Sequence, residues 1–229
     1  MSQVLRIGHR GAAGHAPENT LAAIRCGIDC GVDFIEIDVR STQDGMLVAL
    51  HDESVERTHN RSGRIDQLSI RDIRGFTTRM GEHIPTVREV LAVAAKSGTG
   101  LMLELKAKGL ARSIIDEVRK AEFAWPVFYA SFLHDELTEV RMIDPDAAIM
   151  PLFDRVPHEL IERAKRCRVT HVGMKHTKVG RELVQDLHRV DMLLWVYTVN
   201  RPRDIRRMLS IGVDGIISDF PERLQQKAS

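Results

Sequence analysis

The strongest constraint on the fold is a regular alternation of short apolar, β-like runs with amphipathic helical runs along the whole chain. Strands that are connected through helices pair in parallel, so the pattern predicts an α/β protein with a parallel sheet. Asn19 is expected to cap the first helix, and Thr86 with Glu89 forms a capping box before a later one. The β-like runs occupy residues 4–7, 33–39, 46–50, 101–106, 127–132, 147–152, 170–174, 192–199 and 215–218.

The second and third β-like runs are too close together for a helix to connect them. They are joined by Thr42-Gln43-Asp44-Gly45, and Asp44-Gly45 favours a two-residue type I′ hairpin turn. In that turn Gln43 faces Met46, and the numbers of opposite residues sum to 89. The third run is then the returning arm of a hairpin, which leaves eight parallel strands. That count predicts a (β/α)₈ TIM barrel, with an open doubly wound sheet as the alternative.

Residues 53–85 interrupt the alternation with a polar stretch in which Ser69 and Asp72 predict one short capped helix. This stretch is interpreted as a small insertion after the second-strand hairpin, serving as a lid or flap. Residues 1–229 are expected to form a single TIM-barrel catalytic domain that carries this insertion.

Charge and hydropathy argue against two classes of partner. The chain has 33 Lys and Arg against 32 Asp and Glu, whereas a nucleic-acid interface needs a net basic surface. The longest apolar stretch, 192–199, is far short of the ~20 residues of a transmembrane helix. With no signal-peptide pattern and only three cysteines, a cytoplasmic location is expected. Monomer and homodimer remain equally open.

Carboxylates occupy two of the predicted barrel strands. Because the strand period is two, Glu36 shares a face with Asp38, and Glu104 shares a face with Lys106. Barrel strands are buried on both sides, and neighbouring buried carboxylates need a cation or a shared proton. Three carboxylates suit a hard divalent cation, Mg²⁺ or Ca²⁺, rather than zinc or copper. The alternative is that they form buried ion pairs with Arg or Lys.

Two histidines lie at the ends of predicted strands. His9 ends the first run, and His51 ends the returning arm of the hairpin, where the sum of 89 places it directly opposite Asp38. Since active sites of TIM barrels lie at the carboxyl ends of the strands, both side chains are expected at one barrel mouth. Two histidines there suit paired general acid and base catalysis near neutral pH.

Two cations accompany these groups. Arg10 is held between His9 and Gly11, whose conformational freedom permits a tight turn, and its guanidinium suits bidentate phosphate binding. Lys106 is a second candidate to hold an anion. The combination of carboxylates, histidines and cations indicates a phosphate ester as substrate.

The motifs resemble the signature series of the glycerophosphodiester phosphodiesterases, in the family's order and from residue 9 to about 221. The matching segments are His9-Arg10-Gly11, Pro17-Glu18-Asn19-Thr20, Glu36-Ile37-Asp38-Val39, His51-Asp52, Glu104-Leu105-Lys106, Tyr197-Thr198-Val199-Asn200 and Gly212-Val213-Asp214-Gly215-Ile216-Ile217-Ser218-Asp219. The short form looks most like the bacterial cytosolic enzymes.

The resemblance implies a TIM barrel and a metal-dependent hydrolysis of glycerophosphodiesters to sn-glycerol 3-phosphate and an alcohol. Glycerophosphocholine and glycerophosphoethanolamine are the expected substrates, and Mn²⁺ joins Mg²⁺ and Ca²⁺ as a candidate ion. The implied roles are metal binding for Glu36, Asp38 and Glu104, acid–base catalysis for His9 and His51, and phosphate binding for Arg10 and Lys106.

The sequence departs from the family at one rim position, where many members have Trp and this chain has Tyr197. Trp195 lies two residues earlier on the same strand face, nearer the barrel floor, and both are taken as substrate-binding candidates. Asp219 is expected to fix a turn, although it ends the last strand on the catalytic side. The alternatives are a phospholipase-type lyase that forms a cyclic phosphate and a non-catalytic binder of phosphate ligands.

Overall fold

The predicted β-like runs all form strands in the computed structural model, which describes residues 4–166 and 168–225. The strands are β1 (Leu5–Gly8), β2 (Phe34–Ser41), β3 (Leu47–Ala49), β4 (Gly100–Leu105), β5 (Val127–Ser131), β6 (Ala148–Phe153), β7 (His171–Lys175), β8 (Leu193–Tyr197) and β9 (Gly215–Ser218). Within these ranges most side chains are buried, as expected for strands covered on both faces.

Eight of these strands close into a barrel. Parallel neighbours follow the order β1-β9-β8-β7-β6-β5-β4-β2, and β1 pairs with β2 to complete the ring. The (β/α)₈ TIM barrel predicted from the sequence is therefore confirmed, and the open doubly wound sheet is wrong because no edge is left between β1 and β2. Closure also brings the first and the last strand together, since β1 and β9 are neighbours.

Helices connect the parallel strands. They are α1 (Leu21–Asp29), α2 (Ile70–Ile73), α3 (Val87–Ser97), α4 (Ala111–Lys120), α5 (His134–Ile143), α6 (Leu160–Arg166), α7 (Arg181–His188) and α8 (Pro202–Ile211). The capping box predicted at Thr86–Glu89 is formed, and the short capped helix predicted at Ser69 and Asp72 is α2, which also begins with a capping box. Among the described residues, none of the helices combines the length and the apolar character needed to cross a bilayer.

The N-cap of α1 differs from the prediction. Thr20, not Asn19, accepts the hydrogen bond from the Ala23 N–H. Asn19 has a φ of 58°, a left-handed conformation that asparagine tolerates better than most residues. Its side chain is thereby turned away from the helix and towards the barrel mouth, where it binds Asp38.

The hairpin between β2 and β3 exists, but its predicted register is wrong. The observed pairs, from Val39 with Ala49 to Ser41 with Leu47, have numbers that sum to 88 rather than 89. Gly45 has a φ of 81° and its N–H bonds to Thr42, as in a three-residue loop that ends in a left-handed residue. His51 is therefore shifted by one position and does not lie directly opposite Asp38.

The lower barrel interior is filled by aromatic rings. Trp195 is fully buried, and its ring centre lies 5.2 Å from that of Phe34 and 4.8 Å from that of Phe128. Glycines on both neighbouring strands, Gly173 and Gly215, face it in the register. A Cβ on Gly215 would lie 2.6 Å from the indole, so glycine makes the space that this large side chain occupies.

Residues 53–85 carry a short 3₁₀ helix, Ile65–Gln67, and the helix α2. They pack on the outer side of the hairpin through a separate small core that includes Val48, Val55, Ile65 and Ile73. The insertion therefore rests on the returning arm β3 and is held beside the barrel mouth.

A buried carboxylate caps α4. The N-cap position of that helix, Leu110, has no side-chain oxygen, and Glu136 of α5 accepts hydrogen bonds from the backbone N–H groups of Gly109, Leu110 and Ala111 at 2.6, 3.0 and 3.3 Å. Replacing Glu136 with Ala leaves these donors without their partner, and we expect a loss of about 3 kcal/mol in the free energy of unfolding. Urea denaturation measures it, with the exposed Glu139→Ala on the same helix as control. Equal stabilities of the two variants would contradict the cap.

Candidate active site

The predicted site residues converge at the carboxyl ends of the barrel strands. His9 follows β1 directly, Glu36 and Asp38 lie on β2, and Glu104 lies near the end of β4. In the register Asp38 pairs with Glu104, so the two carboxylates are brought to the same level by neighbouring strands. The barrel mouth thus collects the charged residues, while its interior below is apolar.

Three carboxylates form a compact cluster. One oxygen each from Glu36, Asp38 and Glu104 lies within 4.8 Å of the others. The three residues are at most 9% exposed, and among the described residues they are the one group of acidic, histidine or cysteine side chains with this geometry. Oxygen donors of this kind are the ligands that Mg²⁺ and Ca²⁺ prefer.

The electrostatics of the cluster fit a cation. Burial and the charge of Asp38 raise the pKa of Glu36 to about 8, and the same two effects raise the pKa of Glu104. Burial also acts on Asp38, but Arg10 and Lys106 outweigh it and hold the pKa of that carboxyl below its usual range. None of the described residues donates a hydrogen bond to Glu36 Oε1 or Asp38 Oδ1. A divalent ion would satisfy both buried oxygens and relieve the repulsion.

Both predicted phosphate-binding cations adjoin the cluster. Arg10 Nε lies 3.1 Å from Asp38 Oδ2, and Lys106 Nζ lies 2.7 Å from Glu104 Oε1 and 3.5 Å from Asp38 Oδ1. Their side chains are each 16% exposed, so they line the mouth rather than the outer surface. An anion that enters the mouth would therefore meet two cations beside the carboxylates.

The turn after β1 sets the position of Arg10. Arg10 has a φ of 50° and Gly11 a φ of 89°, so two successive residues adopt left-handed conformations. A Cβ on Gly11 would lie 2.4 Å from the Ala23 backbone, which explains why the turn needs glycine there. The turn directs the Arg10 N–H to Glu36 Oε2 at 2.8 Å, so backbone and guanidinium both face the carboxylates.

His9 is held by an aspartate from the other end of the chain. Its Nδ1 lies 2.6 Å from Asp219 Oδ1, and Asn200 donates from Nδ2 to Asp219 Oδ2 at 2.5 Å. An ionised carboxylate has no proton to donate, so Nδ1 carries the hydrogen and Nε2 faces Glu36 at 3.9 Å. Burial lowers the pKa of His9, but the hydrogen bond to Asp219 and the charge of Glu36 outweigh it and raise the pKa.

His51 has a corresponding partner. Its Nδ1 lies 2.6 Å from Asp52 Oδ1, and its carbonyl accepts a hydrogen bond from Arg40 Nε at 2.9 Å. Although the register shift removes it from the position opposite Asp38, its charge still contributes to lowering the pKa of that carboxyl. Leu50, the residue before it, donates its N–H to the Asp38 carbonyl, so His51 lies beside the cluster on the hairpin side.

The two aromatic candidates have different environments. Tyr197 ends β8, donates its hydroxyl to the Phe153 carbonyl at 2.8 Å, and lines a cavity together with His9, Glu104 and Phe132. Trp195 is fully enclosed in the barrel core below. Its assignment to substrate binding is corrected, since the buried ring has no surface open to a ligand.

Several residues that the sequence reasoning did not assign to the site contribute to it. Asp219 binds His9 rather than merely fixing a turn, and Asn19 binds Asp38 through both its Nδ2 and its Oδ1. Glu18 accepts a hydrogen bond from Arg10 at 2.7 Å. The position of Asp219 at the catalytic end of β9 and the family-like segment Pro17-Glu18-Asn19-Thr20 were usable signals, although neither shows which side chains these residues bind.

Comparisons with known proteins agree with this geometry. Residues 9–223 match the Glycerophosphoryl diester phosphodiesterase family. The chain is 32% identical to a glycerophosphodiester phosphodiesterase of Caldanaerobacter subterraneus over 97% of this chain and 96% of that protein, and 30% identical to one of Bacillus altitudinis over 95% of each.

A solved structure supports the same relationship. A phosphodiesterase of Oleispira antarctica in complex with the product sn-glycerol-3-phosphate superposes with a TM-score of 0.92, at 25% identity and with 97% of this chain and 96% of that chain covered. The chain therefore belongs to the glycerophosphoryl diester phosphodiesterase family, as its ordered motifs predict.

Proposed function

We propose that this member of the family hydrolyses glycerophosphodiesters to sn-glycerol 3-phosphate and an alcohol, using a bound divalent cation and two histidines. The support comes from one observation above all, the approach of three buried carboxylates to a histidine that Asp219 orients. A binder of phosphate ligands needs no oriented histidine, which favours an enzyme over the binder alternative.

The carboxylates Glu36, Asp38 and Glu104 would hold Mg²⁺, Ca²⁺ or Mn²⁺. When bound, the ion would neutralise charge on the non-bridging phosphate oxygens. Arg10 and Lys106 would bind the phosphate beside it, and since each contacts a carboxylate of the cluster, their positions relative to those carboxylates are fixed.

The two histidines move the protons. His9 and His51 each have Nδ1 bound to an aspartate, which leaves Nε2 free to exchange a proton with the substrate. One histidine accepts a proton from the attacking hydroxyl as the new P–O bond forms. The other donates a proton to the alcohol oxygen as the original P–O bond breaks.

Glycerophosphocholine and glycerophosphoethanolamine are the proposed substrates, by analogy with the family. Tyr197 is proposed to contact the substrate, since it lines the cavity that contains His9 and Glu104. We further propose that residues 1–229 form one catalytic domain with an insertion at 53–85. The cytoplasmic location stays a prediction. Monomer and homodimer are both still open.

The test is release of sn-glycerol 3-phosphate from each diester with Mg²⁺, Ca²⁺, Mn²⁺ or a chelator. We expect release that requires a metal ion and that stops in the chelator. Phosphorus NMR of the products separates direct attack by water from attack by the substrate's own 2-hydroxyl, because only the second route gives a cyclic phosphate. A cyclic phosphate as the final product would favour the lyase alternative, and no turnover of a broad panel of diesters would favour the binder.

A further inference from the structure

An arginine of the insertion reaches both sides of the barrel mouth. Arg57 donates from Nη1 to Glu18 Oε2 at 2.8 Å and from Nη2 to Glu18 Oε1 at 2.6 Å, and its Nε donates to Asp52 Oδ2. Its three nitrogens thus contact two carboxylates in the planar arrangement that a guanidinium favours. Both carboxylates lie outside the insertion, so Arg57 fastens the insertion to the barrel.

Each of these carboxylates also contacts a residue of the active site. Asp52 uses its other oxygen, Oδ1, to bind His51 Nδ1 at 2.6 Å. Glu18 Oε1 accepts a second hydrogen bond from Arg10 Nη1 at 2.7 Å. A single carboxylate, Asp52, therefore connects Arg57 to His51, the proposed acid–base residue. On the other side, Glu18 connects Arg57 to Arg10, the proposed phosphate-binding residue.

The side chains in this series of hydrogen bonds alternate in charge, so each charge is compensated by its neighbours. Burial raises the pKa of Glu18, but its hydrogen bond to Arg57 and the charge of Arg10 outweigh it and lower the pKa. The pKa of Asp52 is lowered in the same way, against burial, by its hydrogen bonds to Arg57 and His51. Without Arg57, both carboxylates would be free to adopt other rotamers, and the groups they orient would lose a fixed support.

We infer that Arg57 is a positioning residue that sets the orientation of His51 through Asp52 and of Arg10 through Glu18, so that docking of the insertion completes the active site. This inference rests on the proposed function of His51 and Arg10. It gives the insertion a defined role, since the barrel without Arg57 would hold the same reacting groups in less productive orientations.

The chain offers a matched control in Arg64. Arg64 is also an arginine of the insertion, with a side chain 47% exposed against 50% for Arg57, and it also contacts two carboxylates, Glu53 and Asp66. Neither of these two carboxylates contacts His51 or Arg10 in the described residues. A loss of activity caused merely by a weakened insertion would therefore appear in Arg64→Ala as well.

The kinetic test compares Arg57→Ala with Arg64→Ala. We expect Arg57→Ala to lower kcat about 10- to 100-fold and to raise KM, because both proton transfer and phosphate binding depend on placement. Arg64→Ala should behave as wild type. Added guanidinium should restore part of the kcat of Arg57→Ala, and Arg57→Lys should restore little, because one ammonium group cannot span both carboxylates. Wild-type kinetics in Arg57→Ala, or equal losses in both alanine variants, would overturn the inference.

A second measurement requires no turnover. In the proton–nitrogen NMR spectrum of the imidazoles, His51 of the wild type and of Arg64→Ala should show a hydrogen fixed on Nδ1, and His51 of Arg57→Ala should exchange between both tautomers. An unchanged His51 signal in folded Arg57→Ala overturns the inference even where kcat has fallen. Conversely, a failure of the wild type to hydrolyse any diester, with this spectral change present, would reject the proposed function alone.

Discussion

Replacing Asp38 with Asn is expected to lower kcat/KM by about 10³-fold or more, because it removes a proposed metal ligand and the several kcal/mol of charge stabilisation that a bound ion would supply. Asp38 is 1% exposed and is the carboxylate that both Arg10 and Lys106 approach. The substitution keeps the shape of the side chain while it removes the charge. We therefore expect the fold to persist and the proposed metal site to be lost.

The same variant separates metal binding from catalysis. An ion that binds only the folded protein stabilises it, by about 2.7 kcal/mol at a hundred times its Kd, which raises Tm by roughly 5–10 °C in a chain of this size. We expect millimolar Mg²⁺, Ca²⁺ or Mn²⁺ to give such a rise in the wild type and none in Asp38→Asn. The control is Asp186→Asn, a carboxylate of α7 that pairs with Arg189, the residue after the helix. Equal thermal shifts in Asp38→Asn and wild type would reject the proposed metal site.

Replacing His9 with Ala is expected to lower kcat on the order of 10²–10⁴-fold, the range that a single general acid or base contributes. His9 Nε2 faces the carboxylate cluster while Asp219 fixes Nδ1, which is the orientation that the proposed proton transfer requires. The metal-dependent rise in Tm should persist, because His9 is not part of the carboxylate cluster.

A second histidine–aspartate pair provides the control for His9. His188 Nε2 lies 2.9 Å from Asp214 Oδ2, and Asp214 precedes β9 at the opposite end of the barrel from Asp219. His188→Ala removes the same type of hydrogen bond far from the carboxylates and should leave kcat unchanged. Similar kcat values for His9→Ala and wild type would show that the proton transfers use another group.

The insertion is the part of the chain whose structure its own sequence predicts least well. Its polar composition predicted a lid, and Ser69 and Asp72 predicted its helix, but nothing local indicated that Arg57 would reach Glu18, 39 residues away. The turn of the hairpin depends on the insertion too, because Asp44 accepts a hydrogen bond from the Ile70 N–H and Gln43 donates to the Leu68 carbonyl. These contacts accompany the observed three-residue loop, where the dipeptide Asp44-Gly45 by itself predicts a two-residue turn.

The sequence alone determined the features that depend on local periodicity. Alternating β-like and helical runs specified eight parallel strands, and the two-residue period placed Glu36 with Asp38 and Glu104 with Lys106 on shared faces. Only the tertiary structure decided which distant groups meet, such as His9 with Asp219 at a separation of 210 residues. The physical reason is that strand period and helix capping act within a few residues, whereas barrel closure between β1 and β9 and the docking of Arg57 join segments whose separation along the chain carries no local signal.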